Sequence, residues 1–181
     1  MPAHGHALEI ASGTGQHVAR FAAAFAQWTW QPTDAMSAAL ACISAWVAEQ
    51  ALPNVHPPLV LDVMATEWLP GSAQFDLIYC ANILHISPWA TCAALMQGSA
   101  RHLAPSGLLV TYGPYLEGDV STSEGNLAFD QSLRAQDPAW GIRRLADVAQ
   151  MAAGVGLRLH TRHAMPANNL LLVWARPDQS L

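Results

Sequence analysis

The chain contains no lysine; its eight basic residues are all arginine. That absence removes two large chemistries, because there is no amine for a pyridoxal phosphate Schiff base and no P-loop lysine for a nucleoside triphosphate. Charge of either sign is sparse, at 12% of 181 residues, and the formal net charge is −5. No basic cluster exceeds Arg143–Arg144, which argues against an extended nucleic-acid footprint. Cysteine is scarce as well. Cys42, Cys80 and Cys92 are odd in number and never spaced as Cys-x-x-Cys, so neither a disulfide framework nor a thiolate zinc site is expected, and Cys42 and Cys80 read as packed, reduced thiols. The eight histidines are scattered without a His-Glu-x-x-His pattern, and no metal is expected. Although 52% of residues are hydrophobic, no apolar run approaches a membrane span, and no basic stretch precedes an apolar one at the N-terminus. The expectation is one cytoplasmic domain over residues 1–181, with neither membrane nor nucleic-acid partner.

What is present is concentrated near the start. Leu8-Glu9-Ile10-Ala11-Ser12-Gly13-Thr14-Gly15-Gln16-His17 reads as an apolar strand carrying an acid, a Gly-Thr-Gly turn and the opening of a helix. Glycines at 13 and 15 remove the Cβ atoms that would keep a ligand off the backbone and permit a tight strand-to-helix turn, as nucleotide-like cofactors require. A dinucleotide fingerprint would need a third glycine where Val18 stands. A second strand from Trp28 to Pro32 delivers Asp34 about 20 residues after the turn, where an acid accepts from both ribose hydroxyls. Pro58 to Val63 forms a third strand ending at Asp62, and Phe75 to Asn82 a fourth. Three acids, Glu9, Asp34 and Asp62, thus fall at or near successive strand ends.

This arrangement resembles the E-x-G-x-G-x-G loop and later strand-end acids of class I S-adenosylmethionine-dependent methyltransferases, with Ala11 in place of the first glycine. The resemblance sharpens with the blocks Asn82–Trp89, Tyr112–Tyr115, Asn126–Arg134, Pro138–Arg143 and Ala164–Leu170. Together they are similar to the domain-of-unknown-function 938 family, which includes methyltransferase-like protein 26, over about Leu8 to Arg176. The resemblance implies an S-adenosylmethionine site formed by Glu9, Ala11, Gly13, Thr14, Gly15, Asp34, Asp62, Val63 and Asn82, the Asp62 position being the one that meets the adenine edge. It names no substrate.

The remaining chain alternates strands and helices. Helices are expected at 16–26 with Val18, Phe21, Ala22 and Phe25 inward, at 36–50 with Ile43, Trp46 and Val47 inward, and at 89–103 and 144–153. The link at 165–169 is too short for a parallel return, so strands at 157–164 and 170–176 form an antiparallel hairpin. The expected fold is therefore an α/β doubly wound, mostly parallel, Rossmann-like sheet of seven strands with an antiparallel last strand, as class I methyltransferases have. A loop-helix insertion at about 116–143 is placed to act as a lid.

His85, just past strand four, is the candidate general base for a hydroxyl or amine acceptor, or else a residue that bonds the helix start near Ser87. Tyr112, Tyr115, Asn126, Asp130, Arg134 and Trp140 are candidates to line an acceptor pocket. Equally, Trp140 could pin the inserted helix, and Asp130 and Arg134, at i,i+4 spacing, could be a surface pair. The expected activity is methyl transfer to a small molecule; a non-catalytic cofactor-binding protein and a nicotinamide oxidoreductase are the alternatives. A first strand starting near Ala7 leaves only Met1 to His6 before it: an unusually open cofactor site is expected if that boundary is natural, and loss of activity if the start is shortened.

Overall fold

The computed structural model describes residues 2–177. In chain order the elements are β1 (Gly5–Ile10), α1 (Gln16–Ala24), β2 (Trp28–Asp34), α2 (Ser37–Glu49), β3 (Leu59–Val60), β4 (Phe75–Ala81), α3 (Ala90–His102), β5 (Leu103–Leu116), α4 (Glu124–Gln136), β6 (Arg143–Arg144), α5 (Leu145–Ala153), β7 (Arg158–Met165) and β8 (Asn169–Ala175). The sheet runs β3-β2-β1-β4-β5-β8-β7, with β6 added beside the end of β5. Strands β1 to β5 pair in parallel, whereas β8 is antiparallel to both β5 and β7. The Rossmann-like α/β sheet and its terminal hairpin are as the sequence predicts; the very short β6 is an addition.

Period-2 alternation divides the core between the two faces of the sheet. Ala7, Trp28, Trp30 and Leu77 point toward α1 and α2, where Val18, Ala22 and Ile43 meet them. Leu8, Ile10, Ile78, Leu109 and Trp174 point the other way, against Leu95 and Met96 of α3 and Val148 and Ala152 of α5. Near-continuous apolar runs in β1 and β4 follow from burial on both faces.

Several expectations need correcting. Strand β3 is only Leu59–Val60, both exposed, because its pairing with β2 is confined to Thr33 and Asp34. Phe25 caps α1 and is exposed instead of packing inward, and Cys42 lies on the open side of α2, not in a core. Strand β5 begins at Leu103, earlier than the Pro-Ser-Gly turn suggests; Gly107 allows it, since a Cβ there would lie 2.6 Å from the Phe75 carbonyl. Among the described residues no helix is long and apolar enough to cross a membrane.

Candidate functional site

Parallel strands leave their carboxyl ends open in a common direction, and two cavities form there. The first, about 170 Å³, is lined by Ile10, Ala11, Asp34, Leu61, Asp62, Val63, Met64, Ile83, Ser87 and neighbours. It brings together Ala11, Asp34, Asp62 and Val63, four of the predicted cofactor residues, from the ends of three strands.

The glycine turn is stitched to β2. The Ser12 N–H donates to the Thr33 carbonyl at 2.8 Å, the Thr33 N–H to Ser12 Oγ at 3.2 Å, and Thr33 Oγ1 to the Glu9 carbonyl at 2.7 Å. Asp34 fastens the same turn, accepting the Gly13 N–H at Oδ2 and the Met36 N–H at Oδ1, both at 2.9 Å. Asp62 Oδ1 accepts the Met64 N–H at 2.9 Å. The two glycines serve different ends. Gly13 has φ +57° and nothing within 4 Å of where a Cβ would stand, so its backbone is open to a ligand. Gly15 opens α1 at φ +85°, and a Cβ there would approach the Ile43 Cα to 2.8 Å. Thr14 is exposed between them.

Glu9 lies beneath this turn at 1% exposure, and neither carboxylate oxygen receives a hydrogen bond of ordinary geometry. The nearest group able to carry positive charge is His17, whose Nδ1 is 4.0 Å from Oε1. Burial pushes the carboxyl up to about 7.

The second cavity, about 370 Å³, is lined by Asn82, His85, Ile86, Pro114, Asn126, Phe129, Ala167 and Asn169. Its wall is the turn 82–87, whose residues alternate: Ile83 and Ser87 line the first cavity, Asn82, His85 and Ile86 the second. His85 is 4% exposed, with its ring 5.5 Å from that of Phe129 in an edge-on contact. Burial, reinforced by the Arg143 guanidinium, lowers its pKa to about 4, so the imidazole is neutral at pH 7. Ser87 Oγ donates to the Ile83 carbonyl at 2.7 Å, and no bond joins it to the His85 ring.

Of the predicted acceptor residues, only Asn126 joins His85 in this cavity. Its Nδ2 donates to the Asn168 carbonyl at 3.1 Å. Tyr115 is a correction: it is buried in the core, its hydroxyl donating to Thr111 Oγ1 at 2.9 Å. Tyr112 and Tyr115 are three apart on one strand and therefore face opposite sides. Tyr112 is half-buried and does not line the cavity; its carbonyl accepts the Asn82 N–H at 2.8 Å. Asp130 and Arg134 are likewise outside the lining. They pair at 2.8 Å on α4, and Asp130 Oδ1 also accepts the Ile142 N–H at 2.6 Å. Trp140 is half-buried in the turn that follows α4, its N–H donating to the Asp137 carbonyl at 2.9 Å. Ala167 and Asn169 were not anticipated; they arrive because β8 pairs Asn169 with Pro114. The Asn168-Asn169 pair in the Ala164–Leu170 block was the available signal.

The fold is a Rossmann-like α/β sheet with two adjoining strand-end cavities, and solved structures of O-methyltransferases share that fold over nearly all of this chain. An O-methyltransferase family protein from Burkholderia thailandensis has a TM-score of 0.83 at 15% identity, covering 97% of this chain and 52% of its own. An O-methyltransferase family 2 protein from Planctomyces limnophilus, in complex with apigenin, gives 0.81 at 17%, covering 95% and 51%. The O-methyltransferase NcsB1 from neocarzinostatin biosynthesis, in complex with S-adenosylmethionine and 2-hydroxy-5-methyl naphthoic acid, gives 0.79 at 14%, covering 95% and 49%. The chain thus spans about half the length of these structures. Residues 1–176 match the family described as protein of unknown function (DUF938), and the chain belongs to that family.

Proposed function

We propose that the chain is an S-adenosylmethionine-dependent methyltransferase whose acceptor is a small, uncharged molecule. The observation that carries this reading is the pairing of an acid-lined slot with a histidine-bearing cavity across one shared turn. The residues suit the cofactor. Gly13 leaves room at the backbone, and the apolar Ile10, Leu61, Val63 and Ile83 can sandwich a base plane, while Glu9, buried beneath the turn, lines neither cavity and supports the turn from below. Asp34 keeps lone pairs for a diol while it holds the turn. Thr14 and Gly15 complete the turn, and Asn82 stands where the slot meets the second cavity.

When bound, S-adenosylmethionine supplies a sulfonium methyl open to displacement. The chain's part is chiefly alignment. Asn126, Asn169 and Phe129 hold an acceptor, and neutral His85 takes the proton that a hydroxyl or amine gives up. Among the described residues no carboxylate or guanidinium lines the acceptor cavity, which favours an uncharged molecule over an acid or phosphate. Two of the neighbours were solved in complex with small aromatic compounds, apigenin and 2-hydroxy-5-methyl naphthoic acid; this supports a small-molecule acceptor but not its charge, since the second compound is an acid.

The lowered basicity of His85 favours one second reading, a protein that binds the cofactor without transferring its methyl. A nicotinamide oxidoreductase is not supported: Val18 is fully buried against the sheet, and the antiparallel β8 inserted beside β5 departs from the all-parallel dinucleotide order.

Calorimetry with S-adenosylhomocysteine tests the slot. Binding by the parent is expected, and Asp34→Ala should weaken it by roughly 1.5–3 kcal/mol, the worth of hydrogen bonds to a charged group. Unchanged affinity in that variant would remove Asp34 from the site. Labelled S-adenosylmethionine incubated with a metabolite extract should then mark the low-molecular-weight fraction; label confined to protein or RNA would overturn the small-molecule acceptor, and no label at all would favour the binding protein.

A further inference from the structure

The block Pro138–Arg143 has no part in either cavity lining, yet it is bonded to the turn that separates them. Arg143 Nε donates to the Leu84 carbonyl at 2.8 Å, and Nη2 donates to the Ser87 carbonyl at 2.5 Å and the Ala139 carbonyl at 2.8 Å. The guanidinium carbon also lies 5.7 Å from the centre of the Trp89 ring. A further tie runs from the same block, the Gly141 N–H donating to the His85 carbonyl at 2.9 Å. Arg143 is half-buried and forms no ion pair among the described residues. A cation withdrawn from water without a counterion is costly unless its donors are satisfied, and here backbone carbonyls satisfy them.

Those carbonyls bracket His85 within the turn that separates the two cavities. We propose that Arg143 is a positioning residue for methyl transfer: its planar fork clamps the turn 82–87 and so fixes Asn82 and His85 relative to a methyl donor held on the other side. Arginine suits this role and lysine does not, because the contacts require several donors in a fixed plane. Gly141 lets this segment lie close against α4, since its φ of +140° is closed to most side chains and a Cβ there would come within 2.6 Å of Arg134 Cζ and 2.9 Å of Asp130 Oδ1. The Asp130 bond to the Ile142 N–H holds the strap from the α4 side.

The proposal rests on the methyltransferase reading, so its test separates the two. Arg143→Lys and Arg143→Gln are compared with the parent by S-adenosylhomocysteine calorimetry, amide exchange of residues 82–87, NMR titration of the His85 ring, and kcat and KM for methyl transfer. Both variants should exchange faster at 84–87, and Arg143→Gln should raise the His85 titration midpoint because a nearby cation is gone. Arg143→Lys, which keeps the charge, should leave that midpoint closer to the parent's. With an acceptor in hand, kcat should fall about tenfold or more in both variants while cofactor affinity stays within about twofold, since misplacement of the reacting groups acts on the chemical step. Parental exchange rates and an unmoved His85 titration in both variants, with or without lower thermal stability, would overturn the clamp. Failure of the parent to bind S-adenosylhomocysteine would instead overturn the methyltransferase reading, and the exchange and titration readouts would still decide whether Arg143 holds the turn.

Discussion

Ala11 follows β1 with a φ of +56°, a left-handed conformation that costs a residue with a Cβ roughly 1–2 kcal/mol. Part of that cost would be recovered by glycine, which also loosens the unfolded chain, so Ala11→Gly is expected to stabilise the protein by on the order of 0.5–1 kcal/mol. Urea unfolding checks this as a higher midpoint at unchanged slope; a lower midpoint would mean that the Ala11 methyl contributes more packing than its backbone costs. The first position of the motif is as left-handed as the second, Ala11 at φ +56° beside Gly13 at +57°. Spacing identified Glu9, Asp34 and Asp62 because strand ends recur at fixed distances in an α/β chain. It could not reveal that Glu9 is sealed from water or that Ala11 is left-handed, since burial and φ depend on what the rest of the chain places overhead. Tyr115 shows the same limit: a motif can mark a residue, while the strand's alternation decides whether it faces the site or the core.

At the scale of elements, α4 is the least anchored helix near the site. Leu133 is its only buried residue, and its remaining ties are specific bonds. Ser123 N–H and Asn126 Nδ2 donate to Asn168, and Asp130 accepts the Ile142 N–H. A helix held this way can open locally without the sheet unfolding. Asp130→Ala removes both the Ile142 bond and the Arg134 pair, so amide exchange across 124–136 should accelerate by about tenfold, as loss of a charged hydrogen bond implies. Exchange unchanged in that helix would show that Leu133 and the Phe129 contact suffice. The helix itself was legible, because a Gly, Ser and Thr run precedes a helical pattern after strand five. What it covers was not, since neither Ala167 nor Asn169 is near it in sequence and the register of β8 brings them there.

Over the whole molecule, Glu9 and His85, two buried groups that titrate in the acid-to-neutral range, act on stability in opposite directions. Glu9 titrates at about 7 folded against 4.5 unfolded, so its contribution is fully present below pH 4.5 and is lost as pH rises toward 7. His85 titrates at about 4 folded against 6.5 unfolded, so its contribution is present above pH 6.5 and is lost as pH falls toward 4. Between pH 4.5 and 6.5 each imposes a slope of about 1.4 kcal/mol per pH unit, of opposite sign, and together they nearly cancel. The expected outcome is that Glu9→Gln makes stability rise with pH across this window and His85→Gln makes it fall, by denaturant titration at several pH values. Identical pH dependence in the two variants would show that neither group titrates as its burial requires.

The insertion of β8 between β5 and β7 also sets a schedule for biosynthesis. Strand β7 leaves the ribosome before β8, yet it touches β5 only through β8, so it has no place in the sheet until the hairpin closes and enters as a unit. From the end of β5 at Leu116 to the end of β8 at Ala175, translation at about 5–20 residues per second takes roughly 3–12 s. Throughout that interval, Leu109 to Pro114 present an unpaired apolar strand edge, a template for any other extended chain nearby. Hairpin closure itself takes on the order of microseconds. The nascent chain's exposure to mispairing is thus governed by the speed of the ribosome between β5 and the end of β8, and slow codons there would lengthen it directly.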